Sequence, residues 1–441
     1  MDKLTNIENR YNLKDVESWQ FLRNPYHFYI SNDNLDVSNT QTYSSKLNRF
    51  KFYIKNIFLG FRHWFRKYDY IIFDVSDNYK EVEGSFRNRF TEEISKNLDK
   101  KKILHIQDLW LDINYKTDDY IVSNSIIIFI AKLISKFFVL EDSNIYNKIK
   151  INEDIKLNFK STYQTLMARS FIIKFILKIY NPKIVFLTSY NKKSEMLASK
   201  ELGIKTVEVQ HGIIDILPYK SNNFNPKFQP NYIFVFGNND KKILEKTNYI
   251  ENKNNIFTVG SYLLEKTIEN KTNILDKYRK NYKQIVSISI QDPIIEETKE
   301  FINSVAKDLS STLFILIPRS KNIILDELSK NIIVISDKNC LDIVKNSHWH
   351  LTAFSTCAFE SASLGVANIF WNYKNFSKIY FEEYINSRDY NLMVNTKNEL
   401  IEILNQKYIF DKSNIILQNR DYYMDNYSLN IKDAIYLIDT D

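Results

Sequence analysis

Gln210-His211-Gly212 offers proton chemistry at the end of a β-branched run. Histidine takes up and releases a proton near neutral pH, which suits a general base. The stretch Glu201 to Tyr219, ELGIKTVEVQHGIIDILPY, sets its place in the fold. Gly203 suits a left-handed helix cap, and Lys205 to Gln210 reads as a short parallel strand. Gln210, His211 and Gly212 then fall at the carboxyl end of that strand, the edge at which open α/β sheets bind ligands. Gly212 would let backbone approach a ligand closely. A turn histidine bonded to its own loop is the other reading of the same residues.

A second group of polar residues follows strand-like runs further on. Gln291-Asp292-Pro293 follows VSISI, Pro318-Arg319-Ser320 follows LFILI, Ser336-Asp337-Lys338 follows IIVI, and Ser355-Thr356 follows HLTAF. Ser355 suits an N-cap and Thr356 a first helical turn, where free N–H groups and hydroxyls can hold an anion. Glu360 lies four residues past Thr356, on nearly the same helix face, where a carboxylate can accept from a ribose diol. Simple capping is the alternative for Ser355 and Thr356, and a solvated or capping charge for Glu360. Arg319 could pair a phosphate bidentately or lie on the surface. His348 and His350 flank Trp349 and would point the same way on a strand, but no third ligand stands nearby. No D-x-D element precedes the last three residues, so no catalytic metal is expected, and no cofactor.

The elements that must position these groups alternate. Strands are expected at Tyr68–Val75, Lys102–Gln107, 183–189, 205–210, 232–236 and 257–260. A second set follows at 285–290, 313–317, 332–336, 350–354, 368–371 and 392–395, with helices between. That alternation predicts α/β architecture with two doubly wound parallel sheets and a cleft between them. The expected domains are 1–260, 261–408 and a helical tail, 409–441, that could cross back to the first. Asp77, Glu83 and Arg87 fall in or just after the polar loop that follows the first strand and could face a cleft; solvated loop charge is the plainer account. Asn144 to Lys156 reads as a polar surface excursion. Leu47 to Lys67, aromatic and basic, reads as a helix packed on a sheet or lying on an anionic membrane. Ser125 to Leu140 reads as a partly buried amphipathic helix.

The 441 residues are 44% hydrophobic and carry a formal net charge of +7, spread along the chain. That excludes a disordered protein and shows no nucleic-acid arm or recognition helix. Two cysteines suit a reducing compartment. The polar start and the lack of an eighteen-residue apolar run predict a cytoplasmic protein with no spanning helix. Only seven glycines occur, and five lie between Gly203 and Gly365. No G-x-G-x-x-G or Walker loop can be written.

The order Gln210-His211-Gly212, proline loop, Phe236-Gly237, Val259-Gly260-Ser261, Gln291, Pro318, Phe354-Ser355-Thr356, Glu360-Ser361-Ala362 and Leu364-Gly365 resembles bacterial GT-B glycosyltransferases of capsule and other surface polysaccharide biosynthesis. More distantly it is similar to sialyl-, Kdo- and polyol-phosphate transferases. The likeness covers about residues 183 to 375. It implies two Rossmann-like domains facing across a cleft, and a nucleotide-sugar donor that is CMP-, CDP- or UDP-linked. Ser355 and Thr356 would hold the donor phosphate, with Gln291, Pro318 and Arg319 at neighbouring strand ends. Glu360 and the Ser336 loop would hold ribose and base. The first domain would bind a glycan or lipid-linked glycan acceptor with Gln210, Gly212, Asp77 and Arg87. His211, Asp215 or Glu83 would be the base of an inverting, metal-independent transfer. Contact with the inner face of the cytoplasmic membrane is a further expectation. Many relatives carry His-Pro where this chain has Ile317-Pro318-Arg319. Arg319 then supplies the lost charge, the donor differs, or the enzyme is weakened. A nucleotide-sugar epimerase and a non-catalytic partner of an assembly complex are the rival readings.

Overall fold

The computed structural model describes residues 3–13, 16–32, 56–75, 78–82, 85–108, 119–212, 214, 219, 225–271, 273–318, 326–336, 338–406 and 410–440. The chain divides into two compact units. The first takes Met1–Lys80, Ser85–Gly260 and Asn426–Asp441, and the second is built on Ser261–Asp425. Their strands, in chain order, are β1 (Tyr70–Val75), β2 (Tyr79–Val82), β3 (Ser85–Asn88), β4 (Ile103–Asp108), β5 (Ile121–Ser123), β6 (Ile184–Leu187), β7 (Lys205–Val209), β8 (Tyr232–Val235) and β9 (Ile256–Thr258) in the first stretch. The second stretch adds β10 (Gln284–Ile290), β11 (Thr312–Pro318), β12 (Ile332–Val334), β13 (Trp349–Thr352), β14 (Ala367–Trp371) and β15 (Asn391–Val394).

The first sheet has the order β5-β4-β1-β6-β7-β8-β9, parallel throughout. Strands such as IVFL and YIFV are buried end to end, as a sheet covered on both faces requires. On one face Ile71, Phe73, Leu104, Ile106, Val185 and Leu187 pack against Ile127, Ile173, Leu177 and Met196. Those partners come from the Ser125–Ile134, Phe159–Tyr180 and Lys193–Glu201 helices. The long helix starts where the Asn158 side chain accepts from Ser161 N, and ends at Asn181, whose φ of 49° no helix can continue. Pro182 follows and seals the stop.

Three local expectations change. Residues 144–156, read as a polar excursion, contain the Ser143–Asn152 helix, with Tyr146 and Ile149 buried against Leu4, Trp19 and Tyr26. Their apolar partners sit more than a hundred residues earlier, so local polarity misled. In the polar stretch after β1 the described residues include β2, which forms a two-stranded sheet with β3, and Arg87 lies on β3. Within 47–67, the described part is not one continuous α-helix. It holds the 3₁₀ segment Phe61–Phe65 behind Gly60 at φ 67°, while 47–55 lie outside the described residues.

The second sheet has the order β12-β11-β10-β13-β14-β15, again parallel. The Cys357–Ser363 helix after β13 ends before Gly365, at φ 74°. The tail is helical in two parts. Lys412–Asn419 packs in the second unit, where Asn419 Nδ2 donates to Phe359 O at 2.8 Å and to Ser363 Oγ at 2.7 Å. Tyr427–Thr440 packs in the first, where Tyr427 Oη donates to Phe90 O at 3.1 Å and Lys205 Nζ to Ile438 O at 3.2 Å. Among the described residues no helix is long and apolar enough to cross a membrane.

Candidate active site

Strand order in the second sheet reverses between β10 and β13. An open parallel sheet forms its ligand crevice at such a switch point, beyond the carboxyl ends of the two strands. Gln291 follows β10, and Ser355 and Thr356 follow β13. The Gln291 side chain ties the two ends together, donating to Ser289 O at 3.1 Å and to Thr352 Oγ1 at 3.2 Å. Thr352 Oγ1 also accepts from Ser355 N at 3.1 Å. Ser355 Oγ accepts from Cys357 N at 3.3 Å, so this hydroxyl caps the helix. Thr356 takes the N-cap backbone position and its hydroxyl makes no capping bond. Its half-buried side chain stands at the crevice with its hydroxyl uncommitted to the cap. Pro318 ends β11, paired with Ile290, and Ser336 lies just past β12, one strand further out. Glu360 is half-buried on the Cys357–Ser363 helix. Arg319 lies outside the described residues.

A buried polar network holds this turn from beneath. His350 lies between Ser289 Oγ, 2.8 Å from Nε2, and Asn368 Oδ1, 3.0 Å from Nδ1. Asn368 Oδ1 also accepts from Ser361 Oγ, and its Nδ2 donates to Ala358 O at 2.9 Å and to Asn391 Oδ1 at 3.0 Å. Helix, β13, β14 and β15 are thus locked by neutral groups. Burial drives the His350 pKa down to about 4, because an imidazolium here would lose its water. His348 accepts from Ile285 N at 3.0 Å through Nδ1. Both imidazoles serve the sheet.

His211 follows β7 in the first unit and is half-buried. Its ring lies 5.6 Å from that of Tyr190, which leads on to Tyr219 at 5.2 Å and Tyr249 at 4.7 Å. Buried Glu208 accepts from the hydroxyls of Tyr219, at 2.8 Å, and Tyr249. Gln210 braces the other side. Its Nε2 donates to Gly212 O at 2.8 Å and Asp240 Oδ2 at 2.9 Å, and its Oε1 accepts from Phe236 N at 2.7 Å. Gln210 is therefore a buried strut of the His211 loop, with each side-chain polar atom hydrogen-bonded within the first unit. A Cβ built on Gly212 meets open space within 4 Å. Arg87 donates to Glu92 Oε1 at 3.2 Å. Asp77, Glu83 and Asp215 lie outside the described residues.

The first sheet has its own switch point, between β1 and β6. Lys192 stands there, buried, donating to Asp74 O at 3.3 Å and to Asp108. Arg169 bridges Asp108, at 3.2 Å, and Glu195. Burial alone would raise the Asp108 carboxyl; the Arg169 guanidinium and Lys192 ammonium outweigh it and hold it below the usual carboxylate range. Beside them Asp74 Oδ2 accepts from Asn88 Nδ2 at 2.7 Å and lies 3.2 Å from His105 Nδ1. Ser95 Oγ is 3.5 Å from His105 Nε2. Order and chemistry imitate a Ser–His–Asp relay, but all three side chains are buried within the first unit. Strand-end motifs alone do not reveal these residues. An acid near the carboxyl end of YIIFDV and of ILHIQD, and the lysine pair after KIVFLTSY, were the available signals.

No family model matches the chain. No curated protein matches it either. Solved structures do. A putative UDP-N-acetylglucosamine 2-epimerase from Listeria monocytogenes aligns with TM-score 0.50 and 13% identity over 85% of this chain and 98% of its own. The glycotransferase of kitacinnamycin aligns with TM-score 0.52 and 9% identity over 85% and 99%. The calicheamicin glycosyltransferase CalG4 aligns with TM-score 0.51 and 11% identity over 85% and 98%. The fold is GT-B. At such identities the likeness carries architecture alone, two Rossmann-like α/β domains, and chemistry must come from the residues.

Proposed function

We propose that this GT-B chain is a glycosyltransferase that moves a sugar from a nucleotide-sugar donor to a hydroxyl of a surface glycan or lipid-linked glycan. The observation that carries this reading is the convergence of Gln291, Thr352, Ser355 and Thr356 at the switch point of the second sheet. Hydroxyls and helix N–H groups at a strand's carboxyl edge suit a phosphate. Thr356, with Ser355, would take the phosphate that leaves with the nucleotide. Glu360 and Ser336 would take ribose and base, and Pro318 and Arg319 would help bind the nucleotide-sugar. In the first unit, His211 would accept the proton of the attacking hydroxyl as its oxygen bonds the anomeric carbon and the nucleotide departs with inversion. Asp215 and Glu83 are the other candidate bases. The braces on both sides of His211 support the choice, since a base must be held in place. No metal is assigned a step.

A putative epimerase among the neighbours supports a second reading, an acceptor-independent reaction at the same donor site. A thermal-shift panel of CMP, CDP, UDP and GDP compounds tests the donor site: one of them raises the melting temperature. No shift with any of them refutes the donor reading. Product analysis with and without acceptor then separates transfer from acceptor-independent turnover.

A further inference from the structure

All seven strongly exposed phenylalanines among the described residues lie on three segments of the first unit: Phe58, Phe61, Phe65, Phe129, Phe137, Phe171 and Phe175. The segments are 56–68, 120–140 and 159–180. They share one layer. Trp64, Ile126, Ile172 and Ile176 pack against one buried cluster of the first sheet, and Tyr180 Oη donates to Trp64 O at 2.7 Å. The rings of Phe138 and Phe171 are 6.1 Å apart. With the inner side of each segment committed to the sheet, the outer side is apolar. Phe171, Phe175 and Ile179 form an i, i+4, i+8 row, each 60% exposed or more. Leu133 and Phe137, on the second segment, are 63% and 83% exposed.

Charge on this layer has one sign. The three segments contain no Asp or Glu, while Arg62, Arg66, Lys67, Lys132, Lys136 and Lys178 are exposed. Arg66 leans over the Tyr120 ring at 4.9 Å and Lys174 pairs with Glu201. A folded protein seldom leaves so many aromatics in water without a use for them. Aromatics to enter an acyl boundary, ringed by cations to meet headgroups, match an anionic lipid surface.

We infer that the outer face of these three segments is a docking surface for an anionic phospholipid bilayer. The first unit lies on the membrane through phenylalanine and leucine side chains, and basic side chains bind lipid phosphates. The inference goes beyond the reaction proposed above and holds whichever reaction the chain performs.

Co-sedimentation of the full chain with vesicles tests it, using phosphatidylcholine alone and phosphatidylcholine mixed with phosphatidylglycerol. The chain should pellet with the mixed vesicles, weaken as salt rises, and bind the neutral vesicles at least about tenfold less. The variant Leu133→Asp/Phe175→Asp should lose binding to mixed vesicles by about tenfold or more, with an unchanged circular dichroism spectrum. Lys132→Glu/Lys136→Glu/Lys178→Glu alters only exposed charges, so it reads the surface even if the first variant unfolds. A chain that stays in the supernatant with both vesicles overturns the inference. So does a charge-reversed variant that pellets like the parent. A dimer by light scattering that Leu133→Asp/Phe175→Asp dissociates, without vesicle binding, reassigns the face to a second copy of the chain.

Discussion

Ser355 and Thr356 stand side by side, yet only one hydroxyl is spent on the fold. Ser355 Oγ accepts from Cys357 N, whereas the Thr356 hydroxyl makes no capping bond. Ser355→Ala should therefore cost about 1 kcal/mol of stability, the usual loss for a removed cap, measured by denaturant unfolding. Thr356→Ala should leave stability within about 0.5 kcal/mol, as expected away from a structural contact, and weaken nucleotide binding instead. Calorimetric affinity that does not change in Thr356→Ala removes the phosphate role. At the other site, His211→Ala should reduce turnover by about a hundredfold or more with the fold kept, the scale of a lost general base. Full turnover in that protein would move the base to Asp215 or Glu83. Gln210 shows a site residue that is also a brace. It stands beside the candidate base, yet every polar atom of its side chain is used within the first unit.

Among the elements, parallel strands were the most legible. IVFL and YIFV are unbroken apolar runs, YIIFDV is interrupted only by Asp74, and a strand buried on both faces needs little more. The His211 loop and the Ser355 turn were legible because each follows a short strand of mostly buried residues. What was hidden depends on distant partners. Lys192 and Asp108 are 84 residues apart, and Arg169 and Asp108 are 61, so no window of sequence shows their pairing. The Phe61–Phe65 segment was misread because its conformation is set by Gly60. At φ 67°, a Cβ on Gly60 would lie 1.8 Å from the Ile121 carbonyl oxygen at the start of β5. Gly60→Ala should cost about 3 kcal/mol or more, since backbone strain and a backbone clash add, and the thermal midpoint should fall accordingly. Gly212→Ala is the control: its Cβ meets open space, so stability should change by less than about 1 kcal/mol. Loss of activity in that stable variant would mark close approach of a ligand at the His211 loop.

Across the whole molecule, buried ionisable groups divide the response to pH between the two units. Two compact units need not unfold as one, so calorimetry can resolve separate transitions. In the second unit, His350 has its pKa lowered from 6.5 to about 4 by burial. Between those values the unfolded chain binds the proton and the folded chain does not, so stability falls as pH drops from about 6.5 to 4. The full loss is on the order of 3 kcal/mol for a shift of that size. In the first unit, burial lowers Lys193 to about 8, so stability there rises as pH climbs from about 8 toward 10.5. His105 works the opposite way. Burial disfavours its charge, but Asp119 and Asp74 outweigh that and raise its pKa, so the first unit is favoured below about 6.5 and loses that support as pH rises through the raised value. Mild acid should thus lower the melting temperature of the second unit more than that of the first, where the lowered His63 pKa opposes the raised His105 pKa. His350→Gln, which keeps polar atoms near Ser289 and Asn368, should flatten the acid limb of the second transition between pH 6.5 and 4. An equally steep limb in that variant, or one in the first transition, would assign the acid sensitivity to other groups.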